Sequence, residues 1–243
     1  MQDYGSRLEG KVAIVTGAGA TGTTEDFLGI GQAISILLSR QGAQVLLVDR
    51  DKSNAEATES QIREDGGQAT VFVGDVTDGK SCSDMSKAAV EAYGRVDILI
   101  NNVGISGPGS VTDVDEEFWD TVIDVNLKSV MLTSKFVIPV MIESGGGSIV
   151  NLSSIVGLRA GAGRPSHPYA ASKGGIIGLS NSMAVHYGRQ NVRVNCIAPG
   201  HIYSPMVARH TSEELLELRR KAGPLGFNAV SYTHLTLPTS DLV

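Results

Sequence analysis

Short apolar runs recur along the chain at intervals that suit a layered fold. They are residues 11–16 (KVAIVT), 45–49 (VLLVD), 71–73 (VFV), 96–100 (VDILI), 148–152 (SIVNL) and 192–197 (VRVNCI). Their apolar residues are nearly continuous and do not alternate with polar ones. This pattern is typical of strands that are buried on both faces of a parallel sheet.

Stretches with apolar residues at helical spacing lie between these runs, at residues 31–41, 53–65, 81–93, 116–143 and 169–189. Alternating strands and helices predict right-handed βαβ units. We therefore predict an α/β fold with a doubly wound parallel sheet of the Rossmann type. Since the chain shows no internal repeat, linker or low-complexity tract, we expect a single domain.

Composition and charge exclude several classes of protein. The chain has 243 residues, of which 42% are hydrophobic, and its net charge is −6. This charge argues against a nucleic-acid or anionic-membrane surface. We also find no signal-peptide core and no apolar run that approaches the roughly 20 residues of a membrane span. Cys82 and Cys196 are far apart, which argues against a disulfide framework and favours a cytoplasmic protein.

A glycine-rich segment, TGAGATGTTEDFLGIGQAI, follows the first predicted strand. Glycines let the backbone approach a pyrophosphate closely, and the N–H groups of a following helix attract it. Helical spacing of apolar residues begins only at the second glycine cluster. We therefore predict that Gly17 makes the tight turn and that Gly29, Ile30 and Gly31 form the helix entry. Residues 20–27 would then be an insertion of unknown role.

The competing interpretation of the same segment uses Gly17, Gly19 and Gly22 as a G-x-G-x-x-G motif and begins the helix near residue 23. It would place Glu25 and Asp26 close to the phosphates, where their negative charges would be repelled. A lone G-x-G-x-x-G motif is a weak signal, but a preceding strand and a following strand that ends in an acid strengthen it.

Asp49 ends the second predicted strand. A carboxylate there can accept hydrogen bonds from both ribose hydroxyls of a dinucleotide, and it would repel a 2′-phosphate. This favours NAD over NADP. Arg50 is the opposing signal, because a neighbouring arginine can accommodate the phosphate.

The segment YAASK places Tyr169 and Lys173 four residues apart, and on a helix this spacing puts them on one face. A tyrosine hydroxyl has a pKa near 10, which is too high for a base at neutral pH. We expect the Lys173 ammonium to lower that pKa. Tyr169 could then exchange a proton with an alcohol or a carbonyl as a cofactor exchanges hydride with the adjoining carbon.

The ordered motifs of the chain closely resemble the short-chain dehydrogenase/reductase family over roughly residues 8–227. The motifs are the glycine loop, GDV at 74–76, NNVG at 101–104, DVNLKS around Asn126, NLSSIVG at 151–157, YAASK at 169–173 and APGHIYSPM at 198–206. The resemblance implies a dinucleotide-binding catalytic domain over residues 1–227. Any one of these motifs is weak, but the ordered set is specific.

Catalytic roles follow from the same resemblance. Tyr169 and Lys173 match the catalytic pair, and both would also touch the cofactor. Both Ser153 and Ser154 could hold the substrate oxygen, and the family pattern selects Ser154, which directly precedes Ile155-Val156-Gly157. Asn126 matches the asparagine that bends a helix around a water, which would relay protons between Lys173 and solvent. The interval between Ser154 and Tyr169 is longer than usual in the family.

Further cofactor contacts are implied at the ends of the predicted strands. Asp75 and Val76 would flank the adenine. The cofactor would also be lined by Asn102, Gly104, Pro199, Gly200 and Ile202, with Ser204 where the family often has threonine. We predict no metal, because the five histidines show no ligand spacing. His167, just before Tyr169, is either a substrate contact or an ordinary loop histidine.

The resemblance implies an oxidoreductase that transfers hydride between NAD(H) and a small alcohol or ketone. A nucleotide-sensing binding protein on the same fold is the alternative, and an isomerase or dehydratase a third possibility. An intact set of Ser154, Tyr169 and Lys173 favours the enzyme, since a sensor would be free to lose it. The family commonly forms homotetramers, with predicted helices 116–143 and 169–189 supplying one interface.

The tail at residues 228–243 departs from the family, which continues with a further helix and a last strand. VSYTHLTLPT instead resembles the in-frame translation of a transposase-type sequencing adapter. We hypothesise that the native sequence stops near residues 228–230. The strand at 192–197 would then lack its neighbour, and an exposed strand edge favours aggregation. Such a chain is expected to be less stable and to form a dimer at most.

Overall fold

The computed structural model describes residues 6–20, 22, 28–159, 165–200, 202–203, 212, 214, 217, 221 and 229–230. Within these residues, the main sheet has six parallel strands in the order β3-β2-β1-β4-β5-β6. The strands are β1 (Val12–Thr16), β2 (Gln44–Asp49), β3 (Ala69–Val73), β4 (Ile98–Asn101), β5 (Gly147–Leu152) and β6 (Val192–Ile197). The predicted α/β fold with a doubly wound parallel sheet is therefore confirmed.

The helices lie close to their predicted positions. They are α1 (Ile30–Arg40), α2 (Lys52–Glu64), α3 (Gly79–Tyr93), α4 (Glu116–Ile123), α5 (Ser129–Glu143) and α6 (His167–Tyr187). A π-helical segment, Asp124–Lys128, joins α4 to α5. The carboxylates of Asp51, Asp78 and Asp115 cap α2, α3 and α4 by accepting backbone N–H groups of the first turn.

Two apolar clusters cover the two faces of the sheet. Ile14 and Leu46 belong to one cluster, with residues of α3 and α5. Their neighbours Val15 and Leu47 belong to the other, with residues of α1 and α2. Because successive side chains of a strand point to opposite faces, burial on both faces explains why the strands are nearly continuous in apolar residues.

One helical stretch, Glu116–Glu143, is long and apolar enough to cross a membrane by length and composition alone. The expectation that no segment approaches such a length was therefore too strict. Val130, Val137 and Met141 of this stretch are buried in the protein, and 44% of its most apolar part is buried. Packing against the sheet accounts for its composition.

Strand β6 forms one edge of the main sheet in the part of the chain that the structure describes. A separate two-stranded sheet pairs β7 (Ile202–Tyr203) with β8 (Ala229–Val230) in parallel. Residues 228 and 231–243 of the tail, residues 21 and 23–27 of the insertion, and Ser204 lie outside the described residues. The non-native origin of the tail stays a prediction.

A buried carboxylate, that of Asp97, ties together the starts of two strands at the edge opposite the glycine loop. Its oxygens accept hydrogen bonds from Lys11 Nζ (3.2 Å), Val12 N (3.0 Å), and Arg95 Nε and Nη2 (2.8 and 2.7 Å). Burial raises the pKa of Asp97, but the bonds from Arg95, Val12 and Lys11 outweigh it, and the pKa is lowered overall. A carboxyl with a lowered native pKa stabilises the fold in its ionised form.

We expect Asp97→Asn to lower the free energy of unfolding by about 1–3 kcal/mol at pH 7, because two cations and a backbone N–H lose a charged acceptor. The native pKa is depressed, so the advantage of the wild type should be full above about pH 5 and shrink as the pH falls through 4. Urea unfolding at several pH values measures it. Asp65→Asn, which removes a solvent-exposed pair with Arg40, should cost less than about 0.5 kcal/mol; equal losses in both variants would contradict the assignment.

Candidate active site

The candidate residues gather at the carboxyl edge of the sheet. The glycine loop follows β1, Asp49 ends β2, Asn102 follows β4, Ser154 follows β5 and Pro199 follows β6. Carboxyl ends of parallel strands meet at one edge, and ligands of open α/β sheets bind in the crevice outside it. Tyr169 and Lys173 lie in the first turns of α6 (His167–Tyr187), which also begins at this edge.

The glycine loop depends on glycine for its turn and for close contact between the loop and the start of α1. Gly17 has a φ of +64°, which favours glycine. A Cβ on Gly31 would collide with the carbonyl oxygen of Gly17. Helix α1 begins at Ile30 with Gly29 as its N-cap, in agreement with the second glycine cluster as the helix entry.

The N terminus of α1 suits an anion. No described side chain caps it, and its first turn contains no acidic residue. Backbone N–H groups and the positive end of the helix dipole therefore point toward the loop. Together with the tight turn at Gly17, this geometry fits the pyrophosphate of a dinucleotide.

Gly19 is a constrained residue that the preferred sequence interpretation missed. Its N–H donates to Asp49 Oδ2 (2.9 Å), and a Cβ there would lie 2.6 Å from that oxygen and 2.8 Å from Asn54 Cβ. The loop is held further by Thr58, whose hydroxyl donates to the carbonyl oxygen of Ala18 (2.8 Å). The G-x-G spacing of residues 17 and 19 was the available signal, although it was assigned to the competing motif.

Asp49 lies at the end of β2, and its carboxylate accepts backbone N–H groups from the glycine loop and from the start of the next helix. Besides the bond from Gly19, its Oδ1 accepts the N–H of Asp51 (3.0 Å). Arg50 is exposed. Hydrogen bonds from Ser53 and Thr77 chiefly lower the pKa values of Asp51 and Asp75, and the positive charge of Arg50 adds to both shifts. The carboxylate of Asp49 is therefore fixed beside the loop, with a cation next in the chain.

Asp75 and Val76 lie on the loop after β3. Asp75 Oδ1 accepts the N–H and the hydroxyl of Thr77 (2.8 and 2.7 Å), and these two bonds lower the pKa of Asp75. The side chain of Val76 is 6% exposed and belongs to the apolar core. Only the backbone of Val76 can therefore face a ligand.

The NNVG motif connects the glycine loop to the predicted catalytic residues. Asn102 Nδ2 donates to the carbonyl oxygens of Thr16 (3.2 Å) and Gly17 (3.1 Å). A Cβ on Gly104 would lie 3.3 Å from Lys173 Nζ and 3.4 Å from Asn126 Oδ1. Asn102 thus holds the turn, and Gly104 leaves room beside the buried lysine.

Lys173 is buried beside Tyr169, on the same face of α6. Its Nζ lies 5.6 Å from the centre of the Tyr169 ring and donates to the carbonyl oxygen of Leu152 (2.8 Å). The residue is 4% exposed, and burial lowers the pKa of Lys173 to about 8. The shared face confirms the geometry that the four-residue spacing predicts.

The pKa of Tyr169 departs from the expectation. Burial raises it, and a hydrogen bond with the side chain of Ser154 opposes that rise without cancelling it. The sequence predicts that the Lys173 ammonium lowers this pKa. In the structure the ammonium donates to the Leu152 carbonyl, and burial of the phenol itself keeps Tyr169 neutral in the protein without a ligand.

The two serines after β5 have different roles. Ser153 is buried, and its hydroxyl donates to the backbone carbonyl of Lys173 (2.7 Å). Ser154 precedes the 3₁₀ turn Ile155–Gly157 and interacts through its side chain with Tyr169. Ser153 therefore holds helix α6 in place, and Ser154 is the hydroxyl beside the phenol, as the family pattern implies.

Asn126 lies in the π-helical segment and is completely buried. Its Oδ1 accepts Ile105 N (2.8 Å), and its Nδ2 donates to Ile105 O and to Ser172 Oγ (both 3.0 Å). A π-helical turn in an α-helix often marks a functional site. Asn126 thus connects the bend of α4–α5 to the loop after β4 and to α6.

A buried polar network behind the site was not predicted. Asn101 Nδ2 donates to Asn151 Oδ1 (2.8 Å), and Asn101 Oδ1 accepts the Thr133 hydroxyl (2.7 Å). Asn151 Nδ2 donates in turn to Ser180 Oγ (2.9 Å). The network joins β4 and β5 to α5 and α6. The available signal was an asparagine near the end of each of two otherwise apolar strands.

The loop after β6 closes one side of the site. The carbonyl oxygen of Pro199 accepts the N–H of Ile155 (2.9 Å), which joins this loop to the turn after Ser154. Gly200 is exposed, and Ile202 begins β7. Pro199 is thereby brought next to the turn that follows Ser154.

Comparisons with known proteins agree on the kind of protein. The family model described as short chain dehydrogenase matches residues 11–215. A 3-oxoacyl-(acyl-carrier-protein) reductase of Thermotoga maritima is 38% identical over 220 residues, which cover 90% of this chain and 85% of the relative. A levodione reductase of Leifsonia aquatica is 37% identical over 89% of this chain and 79% of its own. A 7alpha-hydroxysteroid dehydrogenase of Bacteroides fragilis is 32% identical, with 88% and 80% covered.

Solved structures show the same architecture. A protein of Burkholderia xenovorans, assigned to the short-chain dehydrogenases/reductases, superposes with a TM-score of 0.87 at 40% identity. The superposition covers 94% of this chain and 87% of that one. A short-chain type dehydrogenase/reductase of Mycobacterium marinum gives a TM-score of 0.82 at 26% identity.

We expect Lys173→Met to raise stability at neutral pH by about 1–3 kcal/mol, because burying the ammonium is unfavourable. The native pKa of Lys173 lies below that of the unfolded chain, so the unfolded state binds more protons between pH 8 and 10.5. The gain should therefore shrink as the pH rises through this range, which thermal unfolding at pH 7 and pH 10 measures. Lys87→Met, at an exposed position, should change little; a destabilised Lys173→Met at pH 7 would refute the burial argument.

Proposed function

The chain belongs to the short-chain dehydrogenase family of oxidoreductases, whose members use nicotinamide cofactors, and we propose that it transfers hydride between NAD(H) and the carbinol or carbonyl carbon of a small alcohol or ketone. The observation that carries this proposal is the convergence of Ser154, Tyr169 and Lys173 beside Gly104 at the carboxyl edge of the sheet. A glycine loop that fits a pyrophosphate lies at the same edge.

The bound nicotinamide would accept or supply the hydride. Tyr169 exchanges a proton with the substrate oxygen, while the hydroxyl of Ser154 holds that oxygen by a hydrogen bond. Lys173 supplies positive charge beside the phenol, and Asn126 holds the loop after β4 against α6, the helix that carries this lysine. By the resemblance, Asn126 also places the water that relays protons to solvent.

The protonation states suit both directions of the reaction. A neutral Tyr169 phenol, as burial favours, is the form that donates a proton to a carbonyl during reduction. Oxidation of an alcohol requires the phenolate, which a positive charge nearby stabilises. Because the pKa of Lys173 is about 8, most of this lysine is still an ammonium at pH 7 and can provide that charge.

Asp49 supports NAD as the cofactor in this proposal. Its carboxylate is held at the end of β2 by the N–H groups of Gly19 and Asp51, where a ribose 2′-phosphate would meet a negative charge. Arg50 follows, but its charge also interacts with Asp51 and Asp75. The local balance is therefore acidic.

The named relatives support the reaction class. They are reductases and dehydrogenases whose names specify different substrates, so they support chemistry at a carbonyl or hydroxyl carbon without selecting one compound. The sensor alternative predicts nucleotide binding without turnover. Cytoplasmic location is part of the proposal: burial raises the pKa of the Cys82 thiol to about 11, and Cys196 is also a free thiol, which suits a reducing compartment.

We further propose self-association through the exposed faces of α5 and α6. An apolar groove there is lined by Met131, Ile138, Pro139, Ile142, Leu179 and Met183, with Lys135 and Glu143 beside them. Opposite charges on one patch can pair across a two-fold axis, because each copy presents both. A second copy of the chain would cover the groove.

Tyr169→Phe is expected to lower kcat/KM by about a thousandfold, because the phenol is the only proposed group that exchanges a proton with the substrate. A panel of secondary alcohols with NAD and of ketones with NADH, followed by nicotinamide absorbance, measures turnover. NADH fluorescence should show unchanged cofactor binding. The matched control is Tyr93→Phe, since Tyr93 donates to Thr70 Oγ1 (2.7 Å) between β3 and α3. Wild-type binding of NADH without turnover of any compound would favour the sensor.

Asp49→Asn is expected to raise the ratio of kcat/KM with NADP to that with NAD by about tenfold, because the repelling charge is removed. Asparagine retains one oxygen, which can accept the Gly19 N–H and hold the loop, while the bond from Asp51 N is lost. Steady-state kinetics with both cofactors gives the ratio. The same ratio in Asp49→Asn, wild type and the remote variant Asp65→Asn would exclude Asp49 as the discriminating residue.

The chain is expected to elute as a dimer in size-exclusion chromatography with light scattering, and Leu179→Glu is expected to shift it to the monomer because a charge would be buried in the groove. Ser60→Glu, which adds the same charge to an exposed position on α2, should remain dimeric. A stable tetramer of the wild type, or an unchanged dimer of Leu179→Glu, would contradict the proposed interface.

A further inference from the structure

Two segments beside the catalytic tyrosine are joined by hydrogen bonds. Gly109 N donates to Pro165 O (2.9 Å), and His167 N donates to Gly109 O (3.0 Å). A third bond runs from Val111 N to His167 Nδ1 (3.0 Å). The first two bonds join backbone groups and are available to any residue. The third depends on the identity of the side chain at position 167.

The segment 105–111 is thus held at both ends by residues next to the catalytic centre. At one end, Ile105 exchanges two hydrogen bonds with Asn126. At the other end, Val111 is held by His167, the first residue of α6. Between them, a Cβ on Gly107 would lie 2.9 Å from Tyr169 N. The segment therefore passes directly over the start of the helix that carries Tyr169.

The end of this segment presents an apolar side chain to its surroundings. Val111 is 72% exposed, more than most large apolar side chains of the described residues. It precedes a turn in which Ser110 Oγ donates to Asp113 Oδ2 (2.5 Å) and Val114 N donates to Ser110 O (2.9 Å). An apolar side chain on a segment that borders a catalytic residue is suited to contact an apolar part of a substrate.

We propose that His167 is a positioning residue, which holds segment 105–111 against the start of α6 so that Val111 forms a wall of the substrate site. The role rests on the proposed function. It needs His167 Nδ1 without a proton, since only then can that nitrogen accept the Val111 N–H. We call the hydrogen bond from Val111 N to His167 Nδ1 the clamp. Substrates whose apolar substituent extends to Val111 depend on the clamp, whereas the smallest alcohols do not.

Two variants of similar size test the clamp. Asparagine carries an oxygen close to the position of Nδ1 and can accept the same N–H, whereas leucine cannot. Hydrogen–deuterium exchange of the full chain should show residues 107–111 exchanging about fivefold faster in His167→Leu. His167→Asn should stay close to the wild type. Equal exchange in His167→Leu and wild type would overturn the clamp, whether or not the protein is an enzyme.

The selecting role is the preference for substrates whose apolar substituent contacts Val111 while His167 holds it in place. Steady-state kinetics with NAD tests this role, with 1-phenylethanol and 2-propanol as probes. For 1-phenylethanol, His167→Leu should raise KM about fivefold with kcat nearly unchanged, and His167→Asn should restore KM. For 2-propanol, KM should stay the same in both variants. A fall in kcat shared by both alcohols would overturn this role and indicate a general disturbance of α6.

Failure of the clamp and failure of the proposed function give different results. If the wild type turns over neither alcohol nor any compound of the panel, the proposed function fails and the selecting role fails with it. Faster exchange confined to residues 107–111 in His167→Leu would still support the clamp in that case. Turnover with unchanged exchange and unchanged KM would leave the enzyme intact and overturn the inference.

Discussion

Burial of Lys173 at the end of β5 is the constraint on which the site depends. Its ammonium donates to the carbonyl of Leu152, the last residue of β5, and its backbone carbonyl accepts the hydroxyl of Ser153, the next residue, so both ends of Lys173 are tied to the end of this strand. The turn at Gly157 passes so close to the backbone of Lys173 that a Cβ would lie 2.7 Å away. These contacts set the position of α6 and therefore of Tyr169. They also create the unfavourable burial of charge that lowers the pKa of the lysine, a cost typical of functional sites.

The glycine loop also depends on backbone atoms that lie in direct contact with other groups. Gly19 binds the carboxylate of Asp49, and Gly31 lies against the carbonyl of Gly17. The group proposed to read the ribose is thus also a structural partner of the loop proposed to bind the pyrophosphate. If both assignments hold, recognition of the two parts of a dinucleotide would be coupled through the hydrogen bond from Gly19 to Asp49.

The buried polar residues explain how helices from different parts of the chain meet at one edge. Asn126 joins the π-helical bend to Ile105 and Ser172, while Asn101 and Asn151 join two strands to α5 and α6. A buried amide must find hydrogen-bond partners, and each partner restricts where its helix can lie. The relative placement of these helices and strands therefore depends on buried amides that lie behind the proposed site.

Local pattern alone determined the strands, most helix positions, the entry of α1 at Ile30, and the shared face of Tyr169 and Lys173, because these follow from the periodicity of neighbouring residues. Tertiary structure decided what depends on distant segments. The role of Gly19 required Asp49 and Asn54 to be brought against it, and the different roles of Ser153 and Ser154 required α6. The direction of the Tyr169 pKa shift also required the fold, since spacing shows a cation nearby but not the burial that raises this pKa. Sequence determines which groups are available to a site, whereas desolvation and the competition for hydrogen bonds arise only when remote parts of the chain are packed together.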